Sequence, residues 1–308
     1  YTNRIEGEHT RPVDIERALH DDLSEDPKKR DLQLEAKAHI AVQKWIDEGG
    51  LKGRELTEAG LRETHRRFIA LLPEKLCWVE NPQTRERIRV VPGGLRDRDV
   101  QVGRHRAVSP GAVPRFMRRF ETCYTGLGTL ELLLASGPTH HRLLWIHPFA
   151  DGNGRVARLM SHATLLKTLD SGAIWYVARG LARRDQDYKK HLAACDMVRR
   201  GDRDGRGHLS EAATISFAEF FLDACLDQVR FMEALMQPRA FRDRVLKWAE
   251  EEIHYKALPA NSSRVLDAIL FRGSLPRSEV ATVLDQSART ATNITNALSR
   301  QGIIFAPG

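Results

Sequence analysis

Cysteine is scarce in this chain: the 308 residues hold four, at positions 77, 123, 195 and 225, and no two form a CxxC pair. Such spacing argues against a disulfide framework or a cysteine zinc site, and reads as reduced core thiols of a cytoplasmic protein. Long apolar runs are missing as well. Nothing approaches the ~18–20 residues that span a bilayer, and no leader-peptide pattern is visible, so no membrane partner is expected. Hydrophobic residues make up 42% of the chain, enough to bury a core, and the length suggests two domains or one large domain with an appendage. The formal net charge is +7 and the isoelectric point near 9.4. Most of the excess is arginine spread along amphipathic segments, as at Arg62, Arg66, Arg67, Arg115, Arg118 and Arg119. Solvated helix faces account for it, leaving only a modest pull toward an acidic partner.

Against this background one stretch stands out, running from His147-Pro148-Phe149-Ala150-Asp151 through Gly152-Asn153-Gly154-Arg155 to Arg158. His147 can accept a proton near neutral pH. Asp151 is a hard oxygen ligand suited to Mg²⁺. Gly152 and Gly154 let backbone N–H groups approach an anion closely at the start of a helix. Arg155 and Arg158, three apart, fall on one helix face and suit successive phosphates. These residues together equip a site to hold a polyphosphate and deprotonate something beside it.

The stretch resembles the signature of the Fic (filamentation induced by cAMP) family, HPFx(D/E)GNGRxxR, and meets every fixed position of it. The resemblance implies a mainly all-α fold, a helical bundle with a small β-hairpin flap, that moves AMP from ATP to a serine, threonine or tyrosine hydroxyl of a protein. Carried over by position, His147 is the general base and Asp151 the Mg²⁺ ligand. Gly152, Asn153 and Gly154 form an anion-binding nest, Arg155 and Arg158 hold the distal phosphates, and Phe149 packs in the core. The position three before His147 is Leu144, where the family pattern leads one to expect an acid. A second mark opens the chain. Thr2-Asn3-Arg4-Ile5-Glu6-Gly7 is similar to the inhibitory motif (S/T)xxxE(G/N) of self-regulating Fic proteins. Thr2 and Glu6 share a helix face, and a carboxylate aimed at Arg158 would take the γ-phosphate's partner. A plain helix with a glycine stop and a solvated glutamate is the competing reading.

Periodicity and caps place helices at 30–48, closed by Gly49-Gly50, and from the Thr57 cap to about Leu71. Two short apolar runs lie between Trp78 and Val91, with Asn81-Pro82 as turn residues. The alternation Asp99-Val100-Gln101-Val102 reads as a short strand or hairpin. It falls where the family carries its flap, so Arg96 to Gly103, with Val100 and Val102, is the expected docking segment for an added target strand; an ordinary surface hairpin is the alternative. Helices follow at 110–124, 127–145 and 155–169. His140 and His141 project about 100° apart on a helix and read as structural imidazoles. Tyr188 on the later 184–192 helix either stacks on adenine or is a buried helical tyrosine. The glycine-rich 199–209 stretch is an exposed connection without the spacing of a calcium loop, and helix resumes over 214–255.

Past Leu258-Pro259-Ala260-Asn261, helical segments at 262–271, 277–284 and 287–301, then Ile303-Ile304-Phe305, resemble a winged helix-turn-helix with a truncated wing. Arg289, Thr290, Thr292, Asn293 and Asn296 would occupy the exposed face of its third helix. They fit DNA contacts, and equally a protein-binding, dimerising or merely solvated face. The expected organisation is an N-terminal helical region with the inhibitory helix (1–90), a catalytic core (91–200), a helical extension (201–257) and the winged-helix-like domain (258–308). Expected partners are Mg²⁺, ATP and a hydroxyl-bearing target protein, with self-modification, a homodimer and DNA as further candidates. Other readings stay open: removal of AMP at the same site with Glu6 aligning a water, a different nucleotide donor, or a nucleotide-sensing DNA-binding regulator.

Overall fold

The computed structural model describes residues 1–8, 10–80, 85–169 and 175–305. It comprises two compact units, Tyr1–Val229 and Arg230–Gly308. The division therefore falls well before the expected boundary at Leu258.

The first unit opens with α1 (Thr2–Ile5), α2 (Pro12–Leu19), α3 (Pro27–Asp47) and α4 (Glu58–Ala70). Local chemistry sets their starts. Asp26 accepts from the Lys28 N–H at 2.9 Å ahead of Pro27, and Thr57 Oγ1 accepts from the Gly60 N–H at 3.0 Å, each satisfying donors that have no partner within the helix. Next come β1 (Trp78–Glu80) and β2 (Arg87–Arg89), an antiparallel pair in the register Trp78↔Arg89, Val79↔Ile88, Glu80↔Arg87. The Asn81-Pro82 turn expected between them lies outside the described residues. A second hairpin joins β3 (Gln101–Val102) to β4 (His105–Arg106), with Gly103 left-handed at its tip. Helices resume with α5 (Val113–Tyr124), α6 (Thr129–Leu134), α7 (Ser136–Ile146), α8 (Asn153–Leu169), α9 (Val177–Arg183), α10 (Asp185–Cys195) and α11 (Glu211–Leu235). The single helix read over 127–145 is thus two, breaking at Ala135.

Helix α8 is the axis of this unit. It packs against α3, α4, α6, α7 and α9 and is buried on every side from Val156 to Leu165. A helix buried all round must be apolar or must satisfy its polar groups internally, and α8 does both. Val156, Leu159 and Met160 join Val42, Leu61, Phe68, Met117, Phe120 and Ile146 in one core, each such side chain contributing about 1.5–3 kcal/mol. Three of its polar members are matched: Ser161 to His140 Nδ1 at 2.8 Å, Thr164 to the Met160 carbonyl at 2.9 Å, His162 to Asp47 at 2.5 Å. The adjacent histidines diverge as their spacing requires. His140 turns to Ser161 and Tyr188, while His141 meets Asp196 Oδ1 at 2.9 Å.

The second unit holds α12 (Pro238–His254), α13 (Ser262–Arg272), α14 (Arg277–Leu284) and α15 (Ala288–Arg300). Pro238, tolerated only in a helix's first turn, explains why the helix read over 214–255 divides there. Ala249 of α12 and Leu258 share a core with Val265, Leu266, Leu284, Ile294 and Leu298. That shared core is why α12 belongs to this unit and not to a separate extension. The three terminal helices lie where their spacing predicts, with Arg289, Thr292, Asn293 and Asn296 exposed and Thr290 half-buried beside its Ser287 cap. No strand follows α15 among the described residues. Ile303 and Ile304 pack onto the helical core instead, so the expected wing is not formed there.

Candidate active site

Helix α7 ends at Ile146, and His147 caps it in the left-handed region (φ 52°, ψ 63°), its N–H reaching the Leu143 carbonyl at 3.0 Å. A non-glycine residue there is strained by about 1–3 kcal/mol, so neighbours must hold it. Nδ1 lies 3.3 Å from the Leu144 carbonyl. A carbonyl can only accept, so Nδ1 carries the proton and Nε2 is left as the free base. At Leu144, where the family pattern leads one to expect an acid, it is the backbone carbonyl that orients the imidazole. Burial pushes the His147 pKa down to about 4, which keeps the ring neutral at pH 7.

The loop from His147 to α8 is fastened from both sides. Phe149 is buried and stacks on His65 of α4, ring centres 3.9 Å apart and planes within 1°. His65 Nδ1 accepts from the Gly93 N–H at 2.8 Å, so its Nε2–H donates to the Asp151 carbonyl at 3.2 Å. Burial lowers its pKa to about 4, which preserves this neutral pattern. Asn153 makes a reciprocal pair with Phe149, accepting from its N–H at 3.0 Å and donating to its carbonyl at 2.9 Å. The side chain of Asn153 therefore closes the loop, and any place of this residue in the nest falls to its main-chain N–H. Gly152 is left-handed (φ 77°), a conformation that glycine adopts without strain.

Three charged groups converge on the start of α8. Asp151 is half-buried, and among the described residues its carboxylate has no hydrogen-bond or ion-pair partner. A single free carboxylate suits Mg²⁺, which takes one or two such ligands and completes its shell with water and phosphate oxygens; the residues present therefore fit that ion. Arg158 is fully buried and ion-paired to Glu6. Burial alone would raise the Glu6 pKa, but the charge and hydrogen bond of Arg158 outweigh it and hold the carboxyl below its ordinary range. The same carboxylate lies 2.6 Å from where a Cβ at Gly154 would stand. An anion thus already rests against the positive end of α8, where the unpaired N–H groups and helix dipole favour one.

The N-terminal motif is built to deliver that carboxylate. Thr2, Asn3 and Ile5 are buried. Thr2 Oγ1 lies 3.4 Å from His39, which in turn lies 3.0 Å from the Tyr176 hydroxyl, and Asn3 donates to the Leu32 carbonyl at 3.1 Å. Gly7 leaves the helix in the left-handed region (φ 88°).

Other expected residues are placed differently. Arg155 pairs with Glu35 of α3 at 2.5 Å above the Phe68 ring, so its guanidinium is already engaged. Tyr188 is 2% exposed, with its hydroxyl 2.6 Å from His140 Nε2. Enclosed in the core, its ring has no face open to adenine, and the buried-tyrosine reading holds. In the flap segment, Val102 and Gly103 are exposed, Val100 half-buried, and the strand is shorter than the alternation suggested. Arg96 is not on the hairpin surface at all: it is buried, with its guanidinium on four main-chain carbonyls. The hairpin is tethered through His105, whose Nε2–H donates to the Trp145 carbonyl at 2.9 Å. His65, Glu35 and His105 escaped the reading of the sequence because each acts from 40 or more positions away.

The helical fold carries this signature loop between two helices, and residues 55–165 match the family described as Fic/DOC. The protein adenylyltransferase Fic of Drosophila erecta is 27% identical over 166 residues, 53% of this chain and 30% of that protein. Its Drosophila melanogaster counterpart is 26% identical over the same shares. The aligned region thus spans about a third of those relatives' length. A Fic family protein from Desulfovibrio desulfuricans G20 has the same fold, with a TM-score of 0.57 at 20% identity over 97% of this chain and 77% of that one. Fic-1 (residues 134–508) from C. elegans has a TM-score of 0.53 at 17% identity, over 77% and 62%. No helix among the described residues is long and apolar enough to cross a membrane.

Proposed function

We propose that this chain is a protein adenylyltransferase restrained by its own Glu6. The observation that carries the reading is the His147 imidazole, its Nδ1 on the Leu144 carbonyl, set one loop ahead of a helix start that already holds a carboxylate. ATP phosphates occupy the cradle of Gly152 and Gly154, with the γ-phosphate on Arg158 once Glu6 has moved aside. Asp151 holds Mg²⁺, which when bound neutralises phosphate charge. A target segment adds to the edge of the β3–β4 hairpin through backbone hydrogen bonds, bringing a serine, threonine or tyrosine hydroxyl to His147. Nε2 takes the hydroxyl proton as the oxygen bonds to the α-phosphorus. The bond from that phosphorus to the β-phosphate oxygen breaks, and pyrophosphate leaves. Positioning and electrostatics supply most of the acceleration, as in phosphoryl transfer generally.

Intact-mass analysis after incubation with Mg²⁺ and each nucleoside triphosphate tests the donor and the group transferred. A mass gain of one AMP with ATP supports the reading; a gain with another nucleotide alone revises the donor, and loss of AMP from a modified protein reverses the direction. A second role in DNA binding draws support from the exposed Arg289, Thr292, Asn293 and Asn296 on α15. Salt-dependent, sequence-selective retention of duplex DNA would establish it.

A further inference from the structure

We propose that Arg96 is a positioning residue for this site, holding the main chain that presents His147 and fastening it to the base of the target-docking hairpin. The inference rests on His147 being the base.

Arg96 is 5% exposed. Its Nε donates to the His147 carbonyl at 2.6 Å, Nη1 to the Arg98 carbonyl at 2.7 Å, and Nη2 to the Ile146 carbonyl at 3.3 Å and to the Val108 carbonyl. Its own N–H donates to the Pro148 carbonyl at 2.9 Å. One residue thus engages three consecutive carbonyls, 146 to 148, around the left-handed His147, together with the chain on both flanks of the β3–β4 hairpin. Among the described residues no carboxylate hydrogen-bonds or ion-pairs with the guanidinium; Asp99 acts only through its field. Burying a cation on neutral carbonyls is costly, and an apolar side chain of similar length would fill the space more cheaply. Only a rigid fork with five donors can tie three chain segments at once. The consequence is geometric. A target strand seated on the hairpin is held in register with the imidazole, because hairpin and imidazole hang from one guanidinium.

The test uses Arg96→Lys in the full chain with Glu6→Gly, so that transfer is measurable, and Arg96→Met beside it. Lysine keeps the charge and can reach only part of the carbonyl set, whereas methionine removes every side-chain donor. Misplacing a reacting group by about 1 Å costs on the order of 10²-fold. Expected for Arg96→Lys is a fall of that order in kcat for AMP transfer, with KM for ATP within about a factor of two, since the phosphate cradle is untouched. Independently of any transfer, NMR titration of the imidazole should show the His147 pKa rising from its buried value toward 6.5 as the loop loosens. The charged groups acting on His147 are Arg96, His105 and Glu6, and only the lysine variant preserves the charge at 96, so a rise there reports loosening and not a lost field. Unchanged kcat and unchanged titration in Arg96→Lys overturn the proposal, as does a lower melting temperature with both preserved. If no variant transfers AMP, the proposed function fails, and the titration still decides the role of Arg96.

Discussion

Replacing Glu6 by glycine tests the restraint most directly, and its size follows from the geometry. The carboxylate meets a guanidinium that is 1% exposed, while the Glu6 side chain is itself 36% exposed. A hydrogen bond to a charged group contributes roughly 1.5–3 kcal/mol, and exposure of one partner moves the value toward the lower end. About 1.5–2 kcal/mol corresponds to a gain of roughly ten- to thirty-fold once Arg158 is free for the γ-phosphate. The same change leaves Arg158 buried without its carboxylate, so the nucleotide-free variant should melt at a lower temperature and be stabilised more by ATP than the wild type. Because Arg158 holds the Glu6 carboxyl below its ordinary range, mild acid should not release the restraint; the pair persists until pH falls below the usual carboxylate values. The assay is AMP incorporation from labelled ATP by wild type, Glu6→Gly, and Glu6→Gly with Arg158→Ala, with melting curves in parallel. The double variant should show no gain, since the phosphate partner is missing. Equal incorporation by wild type and Glu6→Gly would refute the restraint and make the N-terminal helix a bystander.

Three further outcomes are expected. His147→Ala should lose transfer by about 10²–10⁴-fold with ATP affinity nearly intact; undiminished labelling would remove the imidazole from the mechanism. Asn153→Ala strands a buried N–H and carbonyl of Phe149, costing about 1–3 kcal/mol. Its melting temperature should fall by several degrees, and an unchanged value would show that the loop closes without that pair. Burial lowers the pKa of His147 and His65 to about 4 and of His140 to about 3, so the unfolded chain binds protons below about pH 6.5 while the folded chain does not. Stability should be full above that pH and fall between about 6.5 and 4, whereas transfer by Glu6→Gly should persist at pH 6. A melting temperature flat from pH 7.5 to 5, or an acid limb of activity at 6.5, would contradict the placement of these rings.

What the sequence determined by itself is local and contiguous. The helix start at Thr57, the order His147 to Arg158, a short strand or hairpin at Asp99–Val102 and the three terminal helices all follow from spacing, caps and turn residues that act over a few positions, whereas the helix read from residue 30 begins at Pro27. The break before Pro238 is legible in principle, since proline fits only a helix's first turn. Tertiary structure decided what each side chain faces. Tyr188 is closed in by His140, Asn153 spends its amide on Phe149, and Arg155 is bound by Glu35. Arg96 turns inward onto the carbonyls of Ile146 and His147, which surround the left-handed turn at His147, an arrangement invisible in a linear pattern. Glu6 reaches Arg158 across 152 positions only because α1 is pinned through Thr2 and Asn3 against α3. Periodicity reports which face of a helix is apolar; only the packed chain reports which charge that face brings to another.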